Sequence, residues 1–230
     1  KNVPEGEYYW FGTDALGRDL FTRLWKGTQI SLYIALLAAA IDLVIGVAYG
    51  AISGYFGGRL DNIMQRITEV IMGIPNLIVV VLMILVLEPG ILSITIALTI
   101  TGWVTMARVV RAQVMKLKEQ EFVLAARTLG ASNFKVIFKN MIPNLAGVMI
   151  INTMFTIPSA IFFEAFLSFI GLGLKAPAAS LGTLIDDGYK AMQMYPHMLL
   201  FPAITLSLIM ICFNLVADGL RDALDPKMRD

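Results

Sequence analysis

Few residues of this sequence have the types and spacing that bond chemistry requires. The chain has one histidine, His197, and one cysteine, Cys212, and both stand at or inside an apolar stretch, where packing is the simplest role for them. The sequence contains no HExxH zinc motif, no GxxxxGK[ST] phosphate-binding loop and no close pair of aspartates within its apolar stretches. We therefore predict no catalytic residue, no metal site and no cofactor in this chain.

Two carboxylates are candidates for a polar pathway because each belongs to an apolar stretch. Asp42 lies in the middle of such a stretch, where insertion of a charge into a membrane costs about 2.5 to 3.5 kcal/mol. Either a neighbouring helix satisfies it or it lies on the pathway, and the sequence favours neither. Glu164 follows another apolar stretch, where it attracts an ammonium group, is hydrated, or pairs with Lys175.

A helix–turn–helix pattern is the third feature of interest. Residues 121–129 are predicted to form a short helix that Gly130 ends in a left-handed conformation, after which Ser132 caps a new helix. A short rigid helix of this kind can transmit a push or a pull. Small and basic side chains available to a docking partner are Ala125, Ala126 and Arg127.

Apolar stretches dominate the elements that must position these residues. Of 230 residues, 57% are hydrophobic and only 15% are charged, too few charges for an ordinary soluble surface. The stretches have the length of membrane-spanning helices of about 20 residues and exceed the roughly ten residues of barrel strands. We predict an all-α, polytopic membrane protein with five transmembrane helices. The five stretches are 30–54, 70–87, 91–107, 141–163 and 198–217.

The distribution of basic residues predicts the orientation of these helices. Twelve lysines and arginines fall on the side of the insertion 108–140, and six fall on the other side. By the positive-inside rule the insertion is cytoplasmic, the start of the chain is outside and its end is inside. Residues 1–29 then form an extracytoplasmic or interfacial segment, and residues 30–230 form the membrane domain. Within the first segment, residues 14–29 fit either an interfacial helix or a solvated loop. The net charge of +1 predicts no nucleic-acid partner.

Small residues predict how the first span packs. Gly46, Gly50 and Gly54 recur every four residues and line one helical face, so another backbone can approach closely. Residues 88–90 separate the second and third stretches and predict a tight helical hairpin.

The pattern around Gly130 resembles the EAA signature of binding-protein-dependent ABC importer permeases. That signature is an EAA triplet, a glycine four residues after its last alanine, and an LP pair whose proline follows thirteen residues later. The matching residues are Leu124, Ala125, Ala126, Gly130, Ile142 and Pro143. Leu124 replaces the glutamate of the family, and Glu121, one turn earlier, is placed to substitute for it.

Three further blocks resemble the C-type permease subunit of oligopeptide, dipeptide and nickel importers. They are residues 11–19 with Arg23 and Ser31 following, residues 164–173, and residues 218–226. Together with the EAA pattern they cover almost the whole chain. The resemblance implies a type I ABC importer permease fold with six spans and a cytoplasmic N-terminus. Five spans and an external start are what loss of the first span would produce.

The resemblance also implies partners and a mechanism. A homologous permease would pair with this chain, two ATP-binding subunits would bind ATP and Mg and dock below it, and an extracytoplasmic binding protein would deliver substrate in the cell membrane of a bacterium or archaeon. Peptides are the first expected substrate and nickel chelates the second. The expected ATPase-coupling residues are Glu121, Leu124, Ala125, Ala126, Arg127, Gly130 and Pro143. An ion-coupled carrier is the alternative class, but it calls for paired intramembrane carboxylates or an inverted repeat, and the sequence has neither.

Overall fold

A computed structural model describes residues 8–175 and 177–224 of the chain. Three basic residues of the orientation count, Lys1, Lys227 and Arg229, lie outside the described residues, as does the 225–226 end of the last sequence block. The described helices are α1 (Leu20–Phe56), α2 (Gly58–Gly73), α3 (Asn76–Leu87), α4 (Ile91–Leu117), α5 (Glu121–Thr128), α6 (Asn133–Lys135), α7 (Ala146–Leu167), α8 (Leu181–Ala191) and α9 (His197–Leu224).

Four helical segments of the described chain are long and apolar enough to cross a membrane. They are α1, α4, α9 and the continuous segment Asn133–Leu172, in which irregular helical turns flank α7. Helices α2 and α3 together form a fifth candidate, but they are bent by 80° where they meet. The prediction of an all-α protein with five spans is therefore met when this bent pair counts as one span.

The bend between α2 and α3 interrupts the predicted second span, 70–87. Pro75 has no N–H to donate, and its ring disfavours helical backbone at the preceding residue. Ile74 accordingly has an extended ψ of 122°. Helix α3 alone has 12 residues, about 18 Å at 1.5 Å per residue, which is shorter than the roughly 30 Å of bilayer hydrocarbon. The predicted second span is therefore present as a bent pair of helices, and Pro75 indicates where it breaks.

Helix α1 begins earlier than the first apolar stretch. The Asp19 carboxylate caps it by accepting hydrogen bonds from the backbone N–H groups of Phe21 (3.2 Å) and Thr22 (3.0 Å). Residues 20–29 therefore continue directly into the first span and do not form a separate interfacial helix. The preceding residues make turns against α9, where the ring of Phe11 stacks on Phe201 at 3.9 Å between centroids.

Helix α1 is the element around which the others pack. It contacts α4 along much of its length and also contacts α7 and α8. Helices α3 and α4 form the predicted hairpin, joined at Glu88–Gly90. Most of α9 is exposed in the isolated chain, as is usual for apolar helices that face lipid or another subunit.

Opposite ends of α1 define two ends of the molecule that carry the polar structure described below. The α8 end comprises residues 8–19, the first turns of α1 and helix α8. The α5 end comprises the last turns of α1, helices α2 and α5, and the chain around α6. Because α1 runs between them without a break, the fold connects the two ends through one continuous helix.

Candidate functional site

The α5 turn, residues 121–135, has the helix–turn–helix geometry predicted from the sequence. Helix α5 ends at Thr128, and Gly130 follows with a φ of +81°, a conformation that side chains with a Cβ rarely adopt. The Gly130 and Ala131 N–H groups donate to the carbonyls of Arg127 and Ala126, each at 3.0 Å. The Ser132 hydroxyl then accepts from the Lys135 N–H at 3.4 Å and caps α6.

One side chain anchors α5 in the protein interior. Val123 is fully buried and belongs to an apolar cluster shared with α1, α4 and the chain from Val136 to Leu145. The members contributed by α1 and α4 are Val47, Ala51, Tyr55, Met106, Val110 and Val114. Helix α5 therefore packs mainly on residues 136–141, and the shared cluster joins it to α1 and α4.

The opposite face of the α5 turn is exposed and partly apolar. Leu129 is 87% exposed, and about half of the Leu124 side chain is exposed. Ala125 is exposed and Ala126 is partly buried. Exposed apolar side chains beside a rigid turn are typical of a surface that another protein covers.

The remaining residues of the predicted coupling set have separate environments. Within residues 8–175 and 177–224, Arg127 has no acidic or carbonyl partner; its guanidinium lies over the ring of Tyr55, 5.3 Å from the centroid. Glu121 is exposed in the first turn of α5 and forms no ion pair with the described residues. Pro143 lies in the tight helical turn Ile142–Leu145 that leads into α7, where its missing N–H is tolerated.

An ion pair that sequence reasoning missed joins three helices at the α5 end. Arg111 of α4 donates from Nε and Nη2 to the two carboxylate oxygens of Asp61 on α2, each at 2.6 Å. The Ser53 hydroxyl of α1 also donates to Asp61. Two-point contacts of this kind fix the orientation of both groups. From the sequence, Arg111 served only as one of the basic residues that predict the orientation of the helices.

The predicted glycine face of α1 is a contact surface for α4. A Cβ at Gly46 would lie 2.6 Å from the Met106 Cβ, and a Cβ at Gly50 would overlap the carbonyl oxygen of Ala107. At Gly54 the added atom would lie 2.7 Å from the carbonyl oxygen of Arg111. The close approach that the glycine spacing predicts is therefore present.

Asp42 is buried in the same α1–α4 interface, one turn before Gly46. Its carboxylate occupies the space beside Gly102, where any Cβ would overlap it. Its Oδ1 atom has no hydrogen-bond partner among the described residues. A neighbouring helix thus encloses this carboxylate without supplying a hydrogen bond to Oδ1.

Glu164 is completely buried, with 0% of its surface exposed. The hydroxyls of Ser31 on α1 and Ser168 after α7 donate to Oε2 and Oε1, each at 2.8 Å. The Ser31 hydroxyl also accepts from the Leu181 N–H, at 3.1 Å, in the first turn of α8. Lys175 is not among the described partners of Glu164. Two serine hydroxyls bind this carboxylate, whereas the sequence suggested water, Lys175 or an ammonium group.

A second carboxylate, Asp14, organises the chain before α1 at the α8 end. Asp14 accepts from the N–H of Leu16, from the N–H (2.9 Å) and Nε (2.6 Å) of Arg18, and from the Arg23 guanidinium. Arg23 also lies 3.8 Å from Asp187 of α8. Burial raises the pKa of Asp187, and the nearby charge of Asp186 adds to the increase. These contacts attach residues 8–19 to α1 and α8.

The described residues contain no group of three or more histidine, cysteine, aspartate or glutamate side chains placed to hold a metal ion.

The sequence identified Glu164 and Asp42 as carboxylates in or next to apolar stretches, but it did not predict the residues around them. Ser31, Ser168 and Gly102 have no sequence feature that marks them as neighbours of these carboxylates. It had no means of identifying Tyr55 as the residue under Arg127.

Comparison with known proteins relates this chain to membrane components of transport systems. Residues 46–230 match the family described as the binding-protein-dependent transport system inner membrane component. The oligopeptide transport system permease protein OppC of Bacillus subtilis (strain 168) is 52% identical over 226 residues, which are 98% of this chain and 74% of that protein. The dipeptide transport system permease protein DppC of the same strain is 51% identical over 230 residues, 100% of this chain and 72% of that protein.

More distant proteins share the same fold. The oligopeptide transport system permease protein OppC of Escherichia coli (strain K12) is 42% identical over 99% of this chain and 75% of its own length. An inward-facing MetNI methionine ABC transporter structure superposes with a TM-score of 0.73 at 17% identity, covering 89% of this chain and 97% of that chain. A second structure, an amino acid ABC transporter with histidines, gives 0.66 at 18% identity over 89% and 95%. At these identities the structures share the fold alone, and they confirm the predicted permease fold.

Proposed function

We propose, from the premise that this chain belongs to the family of binding-protein-dependent transport system inner membrane components, that it is a permease subunit of an ATP-driven importer of peptides. The observation that carries this proposal is the α5 turn. It presents an exposed apolar face, including Leu129, while Val123 on its other face enters the cluster shared by α1 and α4. A force applied to the turn by another protein would therefore reach spanning helices through this cluster.

The proposed mechanism is alternating access. The two ATP-binding subunits bind ATP and Mg, and their closure moves the α5 turn, which the Val123 cluster links to α1 and α4. The spanning helices then exchange between arrangements open to one side of the membrane and to the other. ATP and the loaded binding protein drive this exchange only if each binds the two arrangements with different affinity. No residue of this chain takes part in bond chemistry.

The proposed assembly has four further subunits. A homologous permease forms the other half of the pathway, two ATP-binding subunits dock at the α5 end, and an extracytoplasmic binding protein delivers substrate at the α8 end. The apolar surface left exposed on α9 is available to lipid or to the second permease. The location is the inner membrane of a bacterial cell, consistent with the bacterial relatives described above.

Peptides are proposed as the substrate because relatives with about half of their residues in common are named oligopeptide and dipeptide permeases. Glu164 is not proposed to contact the peptide, since it is enclosed by Ser31 and Ser168. Substrate selection is assigned to the binding protein and to the surface between the two permeases.

Uptake by the reconstituted complex tests this function. The chain, its partner permease, both ATP-binding subunits and the binding protein are placed in liposomes, and labelled peptides of graded length are added outside. We expect uptake that requires ATP inside and the binding protein outside. Omitting the ATP-binding subunits should abolish it. Peptide transport by the chain alone, driven by an ion gradient, would instead support an ion-coupled carrier and overturn the proposal.

A further inference from the structure

Tyr55 lies where the cytoplasmic end of α1 meets the α5 turn. Its side chain is buried in the cluster that also contains Val123. Its hydroxyl donates a 2.8 Å hydrogen bond to Asn133 Oδ1, and the Arg127 guanidinium lies 5.3 Å from its ring centroid. Arg127 precedes Gly130 and Asn133 follows it, so one aromatic side chain contacts both arms of the turn.

These contacts differ in kind from the apolar packing around them. Burial of Val123 is non-directional and permits the turn to slide or rotate while it remains buried. A hydrogen bond restricts the donor angle and distance, and a cation over a ring prefers the ring face. Tyr55 therefore specifies the position of the turn relative to α1, whereas the cluster specifies only that the two remain together.

The helix that bears Tyr55 also reaches the α8 end. Helix α1 has 37 residues, about 55 Å at 1.5 Å per residue, and its Ser31 bonds both Glu164 and the first turn of α8. A change in position at Tyr55 is thus applied to an element that is hydrogen-bonded at its far end to α7 and α8.

We propose that Tyr55 is the positioning residue through which movement of the α5 turn acts on α1, its hydrogen bond to Asn133 setting the fraction of ATP-driven movement that reaches the spanning helices. This inference rests on the importer function proposed above. Tyr55 touches neither ATP nor peptide in this account. Loss of its hydroxyl therefore lowers the coupling of hydrolysis to uptake, and leaves the α5 turn docked through Val123.

The test is the number of peptide molecules taken up per ATP hydrolysed by the complete complex in liposomes. Tyr55→Phe keeps the ring and removes the hydrogen bond, and Asn133→Ala removes the same bond by changing an exposed residue. We expect each to lower the ratio by about two- to tenfold, the range for loss of one net hydrogen bond. Asn133→Asp keeps an acceptor and should retain the ratio.

A matched control is available on the same helix. The Tyr49 hydroxyl donates at 2.7 Å to the carbonyl oxygen of Met64 on α2, away from the α5 turn. Tyr49→Phe should leave the ratio unchanged, even if it lowers the amount of assembled complex. The double variant Tyr55→Phe with Asn133→Ala should fall no further than either single variant, because both remove one shared bond.

Two failures are distinguishable. If the complex with the unaltered chain takes up no peptide at the expense of ATP, the importer function fails and this inference fails with it. If that complex couples uptake to ATP while the Tyr55→Phe and Asn133→Ala complexes keep its ratio, the inference alone is overturned. An equal loss in Tyr49→Phe, or additive losses in the double variant, would also overturn it.

Discussion

The Ser31 hydroxyl of α1 donates a 2.8 Å hydrogen bond to Glu164 of α7, a residue 133 positions away in the chain. The same hydroxyl accepts the Leu181 N–H at the start of α8. One small side chain thereby joins three helices around a carboxylate that has no contact with solvent.

Removing the Ser31 hydroxyl should destabilise the protein. Ser31→Ala leaves the Leu181 N–H unpaired and takes one donor from Glu164, and a buried polar group without a partner costs about 1 to 3 kcal/mol. We expect the detergent-solubilised protein to unfold at a lower temperature at a fixed heating rate. Ser159→Ala, on the exposed face of α7, is the control and should have little effect. Equal unfolding temperatures for the two variants would refute the assigned role.

Replacing Gly130 by valine should uncouple ATP hydrolysis from uptake without preventing membrane insertion. The φ of +81° at Gly130 costs a residue with a Cβ about 1 to 2 kcal/mol, so the turn is expected to change shape. Among the described residues, no atom beyond the chain neighbours of Gly130 lies within 4 Å of an added Cβ, so the expected loss comes from the backbone conformation. Gly130→Asn should retain uptake per ATP, because asparagine tolerates this conformation. Normal coupling in Gly130→Val would exclude the turn as the coupling element.

An alanine at Gly50 should separate α1 from α4. Its Cβ would overlap the Ala107 carbonyl oxygen, a backbone atom that moves only with α4, and overpacking of this kind costs about 1 to 3 kcal/mol. Gly73→Ala is the matched control, since no atom of the described chain outside its own helix backbone and chain neighbours lies within 4 Å of a Cβ there. Thermal unfolding should show a decrease for Gly50→Ala and no decrease for Gly73→Ala. Similar behaviour of both variants would contradict the α1–α4 contact.

Replacing Arg111 by lysine should weaken the α5 end although the charge is kept. Lysine cannot make the two-point contact that the guanidinium makes with Asp61, and hydrogen bonds to charged groups are worth about 1.5 to 3 kcal/mol. The control is Arg66→Lys, because Arg66 pairs with Glu69 on an exposed surface where such pairs contribute little. Unfolding temperatures are measured for both, and an unchanged value for Arg111→Lys would argue against a structural role for the pair.

Local sequence predicted much of the fold because the relevant interactions are local. Runs of apolar residues predict spanning helices wherever the backbone must pair its own hydrogen bonds. Gly130 predicts a left-handed turn because few other residues adopt one, and the structure has that turn. The bend in the predicted second span, 70–87, was the exception. Pro75 is a local indication of the break between α2 and α3. The prediction of one span over residues 70–87 followed the apolar run and gave Pro75 no weight.

The sequence by itself determined the class of the protein, the approximate span positions, the glycine contact face and the family. Only the tertiary structure decided which groups pair. Ser31, Arg111 and Asn133 lie 133, 50 and 78 residues from their respective partners Glu164, Asp61 and Tyr55. At such separations the sequence does not reveal which carboxylate or hydroxyl each of them will meet. Helix propensity and hydropathy depend on neighbouring residues, whereas buried hydrogen bonds depend on how whole helices pack.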